Sequence, residues 1–125
     1  MRAAPAGCIV LALAGCDGAV CDNRIVDRLP SPDGRFEAVV FERDCGATTA
    51  FSTQLSIGSP GMTPRGAGNV FVASRGRPHA EWNGAEATAR WLAPDRLEII
   101  VDSEAQIFHE QQYLDGVAMV YRKAG

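Results

Sequence analysis

Alternation with a period of two governs the longest patterned stretches of this chain. In residues 49–57, Thr49, Phe51, Thr53, Leu55 and Ile57 fall on one side, and Ala50, Ser52, Gln54 and Ser56 on the other. That spacing predicts a strand with one face in a core and one toward water. "RFEAVVFER" alternates too: Phe36, Ala38 and Val40 share a face, while Val39 and Phe41 make the opposite face apolar as well. This predicts a strand buried on one face and partly on both. "SPDG" (Ser31 to Gly34) opens it as a type I turn, with Pro32 presetting φ and Gly34 at the fourth position. Ala87, Ala89 and Trp91, a turn over Ala93-Pro94-Asp95-Arg96, then Leu97, Ile99 and Val101 read as a second hairpin. "NVFVAS" is a short strand, and strands near Ile107-Phe108 and Val117 to Tyr121 flank a turn at Asp115-Gly116. No long helical period competes. Six or seven short strands predict an all-β fold, a small antiparallel β-sandwich or barrel spanning residues 31–125, with 16–30 as a short tether or an edge strand.

The first fifteen residues belong to a different pattern. "MRAAPAGCIVLALAGC" carries one early cation, Arg2, then an apolar run from Cys8 to Ala14, then small residues. That is the layout of a secretory signal, and the run is far shorter than the roughly 20 residues a membrane-spanning helix needs. Leu13-Ala14-Gly15-Cys16 resembles a bacterial lipobox. The resemblance implies cleavage before Cys16 and attachment of diacylglycerol and an amide-linked acyl chain such as palmitate to that residue. The chain is therefore expected in the bacterial cell envelope, anchored to a membrane by lipid and facing the periplasm or the exterior. More than one acyl chain makes such anchoring stable.

Four cysteines occur, Cys8, Cys16, Cys21 and Cys45. The signal removes Cys8 and the lipid consumes Cys16. An even number remains in a chain addressed to an oxidising compartment, so Cys21 and Cys45 are expected to form a disulfide. The alternative is an envelope hydrolase or thiol enzyme in which Cys45 is a nucleophile activated by a histidine.

The block "SPDGRFEAVVFERDCGATTAFSTQLSI" resembles a family of small bacterial secreted or lipid-anchored proteins, and "ARWLAPDRLEI" is similar to a later block of the same family. That family is uncharacterised, so the resemblance implies no activity. It does imply recurring cysteines at the positions of Cys21 and Cys45. Pro32-Asp33-Gly34, and Trp91 with Pro94-Asp95, are similar to turns in periplasmic β-propeller blades. A propeller needs at least about four blades, so this likeness implies shared hairpin chemistry. The size and build resemble the small lipid-anchored lysozyme inhibitors, whose Ser-Gly-x-x-Tyr loop is missing here.

Charge narrows the partners. The formal net charge is −3 with a single lysine, Lys123, and loss of Arg2 with the signal makes the mature chain more acidic. Nothing here provides the basic footprint of a nucleic-acid binder. No phosphate loop, zincin helix, Cys-x-x-Cys pair or nucleophile elbow is present, and no cofactor is expected. His79 with Glu81 and His109 with Glu110 lack the spacing of a known metal site, so no metal is assigned. Two irregular stretches remain, residues 58–68 and 74–86. They carry Arg65, Arg75, Arg77, His79 and Trp82, the candidate binding residues. Trp82 in a loop is expected to be exposed beside the arginines, offering a patch for an envelope protein or an anionic glycan. Trp91, alternating with Ala87 and Ala89, is expected in the core. The sequence thus predicts a non-enzymatic binding or accessory module.

Overall fold

The computed structural model describes residues 21–46, 51–82 and 84–124. The expected signal segment, Cys16, and Thr48 and Thr49 lie outside these residues. The described chain is all-β, with nine strands: β1 (Asp22–Pro30), β2 (Glu37–Asp44), β3 (Ser52–Gly58), β4 (Phe71–Ser74), β5 (Ala87–Ala93), β6 (Arg96–Asp102), β7 (Gln106–Glu110), β8 (Tyr113–Leu114) and β9 (Val117–Ala124). They form two sheets, β1-β2-β3-β4-β7 and β5-β6-β9-β8, consistent with a small sandwich. Two more strands exist than the upper sequence estimate. The chain before Pro30, left open as tether or edge strand, contributes the edge strand β1. Every pairing is antiparallel except β6 with β9, which run parallel. The long link from β6 through β7 and β8 makes that possible, because a tight hairpin turn cannot join parallel neighbours.

The facing sides of the sheets make the core. Ala38 and Val40 of β2, Leu55 and Ile57 of β3, Phe71 and Ala73 of β4, Leu97, Ile99 and Val101 of β6, and Val117 and Met119 of β9 are all buried together. These are the residues at alternate positions, as the period of two requires. The turn between β1 and β2 is held by Gly34 N donating to Ser31 O at 2.9 Å. The Ser31 hydroxyl also donates to Asp33 at 2.8 Å. This bond and the Arg35 backbone N–H hold the Asp33 carboxyl below its ordinary range.

Val39 and Phe41 are also wholly buried, yet they point away from that core. The chain between β3 and β4 covers them. Gly61 N donates to Glu37 Oε1 (2.7 Å), Arg28 Nη1 to Met62 O (2.9 Å), Asn23 Nδ2 to Pro64 O (3.0 Å) and to Gly66 O (2.9 Å), and Gly68 N to Gln54 Oε1 (2.7 Å). In register, Glu37, Arg28, Asn23 and Gln54 lie on the same face as Val39 and Phe41. Residues 59–68 therefore form a strap pinned across the outer face of the first sheet. A loop this long needs such a purpose. Gly68 is where the strap meets the sheet: a Cβ there would sit 2.7 Å from the carbonyl oxygens of both Leu55 and Phe71. Backbone cannot yield as a side-chain tip can. Gly68→Ala should cost about 1–3 kcal/mol as overpacking, whereas Gly66→Ala, with open space around it, should change stability by less than about 0.5 kcal/mol. Urea unfolding of the two variants checks this, and equal effects would contradict the strap.

The two long sides of the sandwich differ. On one, residues 106–114 bond to both sheets: β7 pairs with β4, Gln111 N donates to Val70 O (2.8 Å), and Met119 N donates to Gln112 O (3.0 Å). The Tyr121 hydroxyl completes this closed side by donating toward Gln111 O at 2.7 Å. Burial, with the Glu110 carboxylate nearby, raises that phenol's pKa. On the other side the edges of β1 and β5 face each other without pairing, bridged where Trp91 Nε1 donates to Leu29 O (2.7 Å).

Candidate functional site

The open seam between β1 and β5 holds a cleft of about 250 Å³. Three local features shape it. The first is a register shift in β1 between Ile25 and Asp27, a β-bulge at Val26. A bulge re-aims side chains and bends the strand. Here it leaves Asp27 opposite Val40, so Val26 and Asp27 both line the cleft. The second is the edge of β5, which supplies Ala87, Thr88 and Ala89.

The third is the connection from β4 to β5. It turns back on itself immediately after β4, with Arg75 at φ 66° and Gly76 at φ 75°. Glycine suits that conformation, and a Cβ on Gly76 would meet Asp102 Oδ2 at 2.6 Å. Asp102 fixes the turn by accepting from Arg77 N at 2.9 Å. A small hairpin follows, with Pro78 bridged to Ala85, His79 N donating to Gly84 O (2.9 Å) and Glu86 N donating to Arg77 O (2.7 Å). Its tip folds inward and delivers Trp82 into the sandwich.

Trp82 is 8% exposed and belongs to the core cluster. Its Nε1 donates to Thr53 Oγ1 at 2.8 Å, and that hydroxyl donates to Ala85 O at 2.6 Å. The indole's polar edge is thereby satisfied in the interior, as a buried tryptophan requires. His79 lies flat on Trp82, ring centroids 3.4 Å apart and planes 7° apart. His79 Nδ1 accepts from Glu81 N at 2.9 Å. In the neutral ring this places the proton on Nε2, which lies 3.9 Å from Glu86 Oε2. The cleft therefore has a wall made by a rigid aromatic stack, apolar flanks from Val26, Val40, Ala87 and Ala89, and carboxylates at its rim from Asp27 and Glu81.

This placement corrects the expectation for the two tryptophans. Trp82 is the buried one, and Trp91 is only half-buried. The hairpin between Pro78 and Ala85 reverses the chain and directs Trp82 inward. Trp91 sits on an edge strand, where one side has no neighbour to cover it. The expected patch of Trp82 with the arginines does not assemble. Arg65 is exposed on the strap, across the outer face of the first sheet from Trp82. Arg75 and Arg77 are exposed at the base of the hairpin. Of the candidate binding residues, the structure brings together His79 and Trp82 alone.

Sequence reasoning missed Asp27 and the β5 edge, and weighed Glu81 only as a metal ligand with His79. The signal that could have found Asp27 was Ile25-Val26, two adjacent apolar residues interrupting a polar strand, which marks a bulge. Cys21 and Cys45 are joined by a disulfide, with Cα atoms 4.0 Å apart. They continue the β1–β2 register one step beyond Asp22 and Asp44, so the bond closes the open end of that hairpin. Among the described residues no group of three or more His, Cys, Asp or Glu side chains is placed to hold a metal ion. No helix of the described residues is long and apolar enough to cross a membrane. Comparison with protein-family models, curated proteins and solved structures returned no match.

Proposed function

We propose that this chain is a lipid-anchored protein of the bacterial envelope that acts as a binding or accessory module, presenting the seam cleft to a partner. The observation that carries the reading is the Cys21–Cys45 disulfide. It fits an oxidising compartment, and it occupies the thiol that a Cys45-dependent enzyme would need. The cleft supports binding because its wall is held by a stacked ring pair and internal hydrogen bonds, so little has to be ordered when a guest arrives. Only residues 17–20 separate Cys16 from Cys21. A lipid on Cys16 would hold the disulfide end of the sandwich within about 18 Å of chain from the membrane.

The anchor is tested by Cys16→Ser. The variant should leave the membrane pellet or remain unprocessed, and a mature protein that still pellets would overturn the lipid anchor. The cleft is tested in cells with a photo-crosslinking residue at Thr88, exposed on its rim, against the same residue at Arg122, exposed on the second sheet. Capture from position 88 alone is expected. Capture from position 122 alone, or from neither, would overturn the seam as the binding site.

A further inference from the structure

We infer that the seam cleft binds a guanidinium group, as carried by an arginine side chain of a partner protein. This rests on the cleft being a binding site and names its guest. The observation behind it is an imbalance of charge at the seam. Asp27 and Glu81 stand on two rims, one from β1 and one from the hairpin. Among the described residues neither carboxylate has an ion-pair partner. The arginines of the seam strands are committed elsewhere. Arg24 bonds Glu42 (2.8 Å), Arg28 bonds Glu37 (3.0 Å), and Arg90 bonds Glu98 (2.7 Å), which Arg122 also approaches at 3.4 Å. Arg75 and Arg77, on the same connection as Glu81, form no ion pair with Asp27 or Glu81. The cleft is thus left with carboxylates that its own cations do not neutralise.

The rest of the lining selects among cations. The partly exposed Val26 and Ala89 suit the methylene stem of a long side chain, which gains by burying it, whereas Val40 and Ala87 are already buried. His79, the more exposed ring of the stack, adjoins them, and a planar guanidinium stacks on such a ring. Its fork of N–H donors can address a carboxylate with two parallel bonds and still present donors to a second one. A compact ammonium has neither the plane nor the fork. A volume of about 250 Å³ admits one such side chain rather than a folded domain. The partner therefore inserts one residue, with its backbone passing along the exposed edges of β1 and β5.

The full mature protein in detergent, isotopically labelled, is titrated with the blocked peptide Ala-Ala-Arg-Ala-Ala and with the same peptide carrying citrulline for arginine. Citrulline keeps the shape and removes the charge. Saturable amide shifts are expected at Asp27, Glu81, Thr88 and Ala89 with the arginine peptide, and affinity roughly tenfold or more lower with citrulline, the worth of a charge-assisted bond. An Asp27→Asn, Glu81→Gln double variant should keep a dispersed spectrum and lose the preference for arginine. Equal shifts of the cleft residues by both peptides would keep the cleft as a binding site and overturn the guanidinium assignment. No saturable shift, or shifts confined to other faces, would overturn the assignment too. The crosslink at position 88 then decides separately whether the cleft binds a partner.

Discussion

Trp82→Ala should be among the most damaging single substitutions in this domain, with a loss of about 3–5 kcal/mol. The side chain is nearly wholly buried between the sheets, donates to Thr53 and carries His79 on its face. Truncation would leave a cavity at the seam and remove the surface that holds His79. Trp91→Ala should cost less, about 2–3 kcal/mol, because its ring packs against the core but stays partly exposed. Trp82→Phe separates the contributions: it keeps a stacking surface and loses the bond to Thr53, for about 1 kcal/mol. Urea unfolding curves of the three variants check the order. A stable domain after Trp82→Ala would mean that the hairpin tip faces water.

The second large effect belongs to the disulfide. A Cys21→Ser, Cys45→Ser double variant should lose about 3 kcal/mol, the chain-entropy contribution of closing a loop of this length. The bond spans 24 residues and clamps the end of β1 to β2. β1 has a neighbour on one side alone and carries a bulge, so its end depends on that clamp. Reductant should lower the stability of the parent protein by the same amount and leave the double variant unchanged. A parent protein indifferent to reductant would contradict the bond. Set against the 5–15 kcal/mol that holds a typical domain together, either loss is a substantial fraction. Opening β1 would also displace Val26 and Asp27, so the double variant should bind the arginine peptide more weakly even where it stays folded.

The strand pattern was legible because alternation is a local property. Phe36 to Phe41 and Thr53 to Ile57 declare their core faces within a few residues, and the turn chemistry of Ser31 to Gly34 and Ala93 to Arg96 marks the ends. But Phe51, expected in the core, is exposed, and Gln54 and Ser56, expected toward water, are buried. The doubly apolar β2 was legible too, though not what covers its second face. Val39 and Phe41 are sealed by a strap that reads as an ordinary Gly/Pro-rich loop, since its bonds to Glu37, Arg28, Asn23 and Gln54 join residues distant in sequence. The same limit explains the tryptophans. Trp91 obeys an alternation that says which face it is on, but not that its strand lies at an edge. Trp82 has no periodic context, and its burial follows from Pro78 pairing with Ala85, a contact no local pattern announces. The candidate site was legible in part: His79 and Trp82 were singled out for their chemistry, while the arginines grouped with them by loop composition lie elsewhere.

Everything proposed for the seam depends on the His79–Trp82 stack facing inward beside Thr53. Nuclear magnetic resonance of the labelled protein tests that arrangement directly. The Trp82 indole N–H should exchange slowly with solvent, and the His79 ring protons should be shifted upfield by the indole current, with cross-relaxation between the two rings. An indole N–H exchanging at the rate of an unfolded peptide, with His79 ring protons at their free positions, would contradict it.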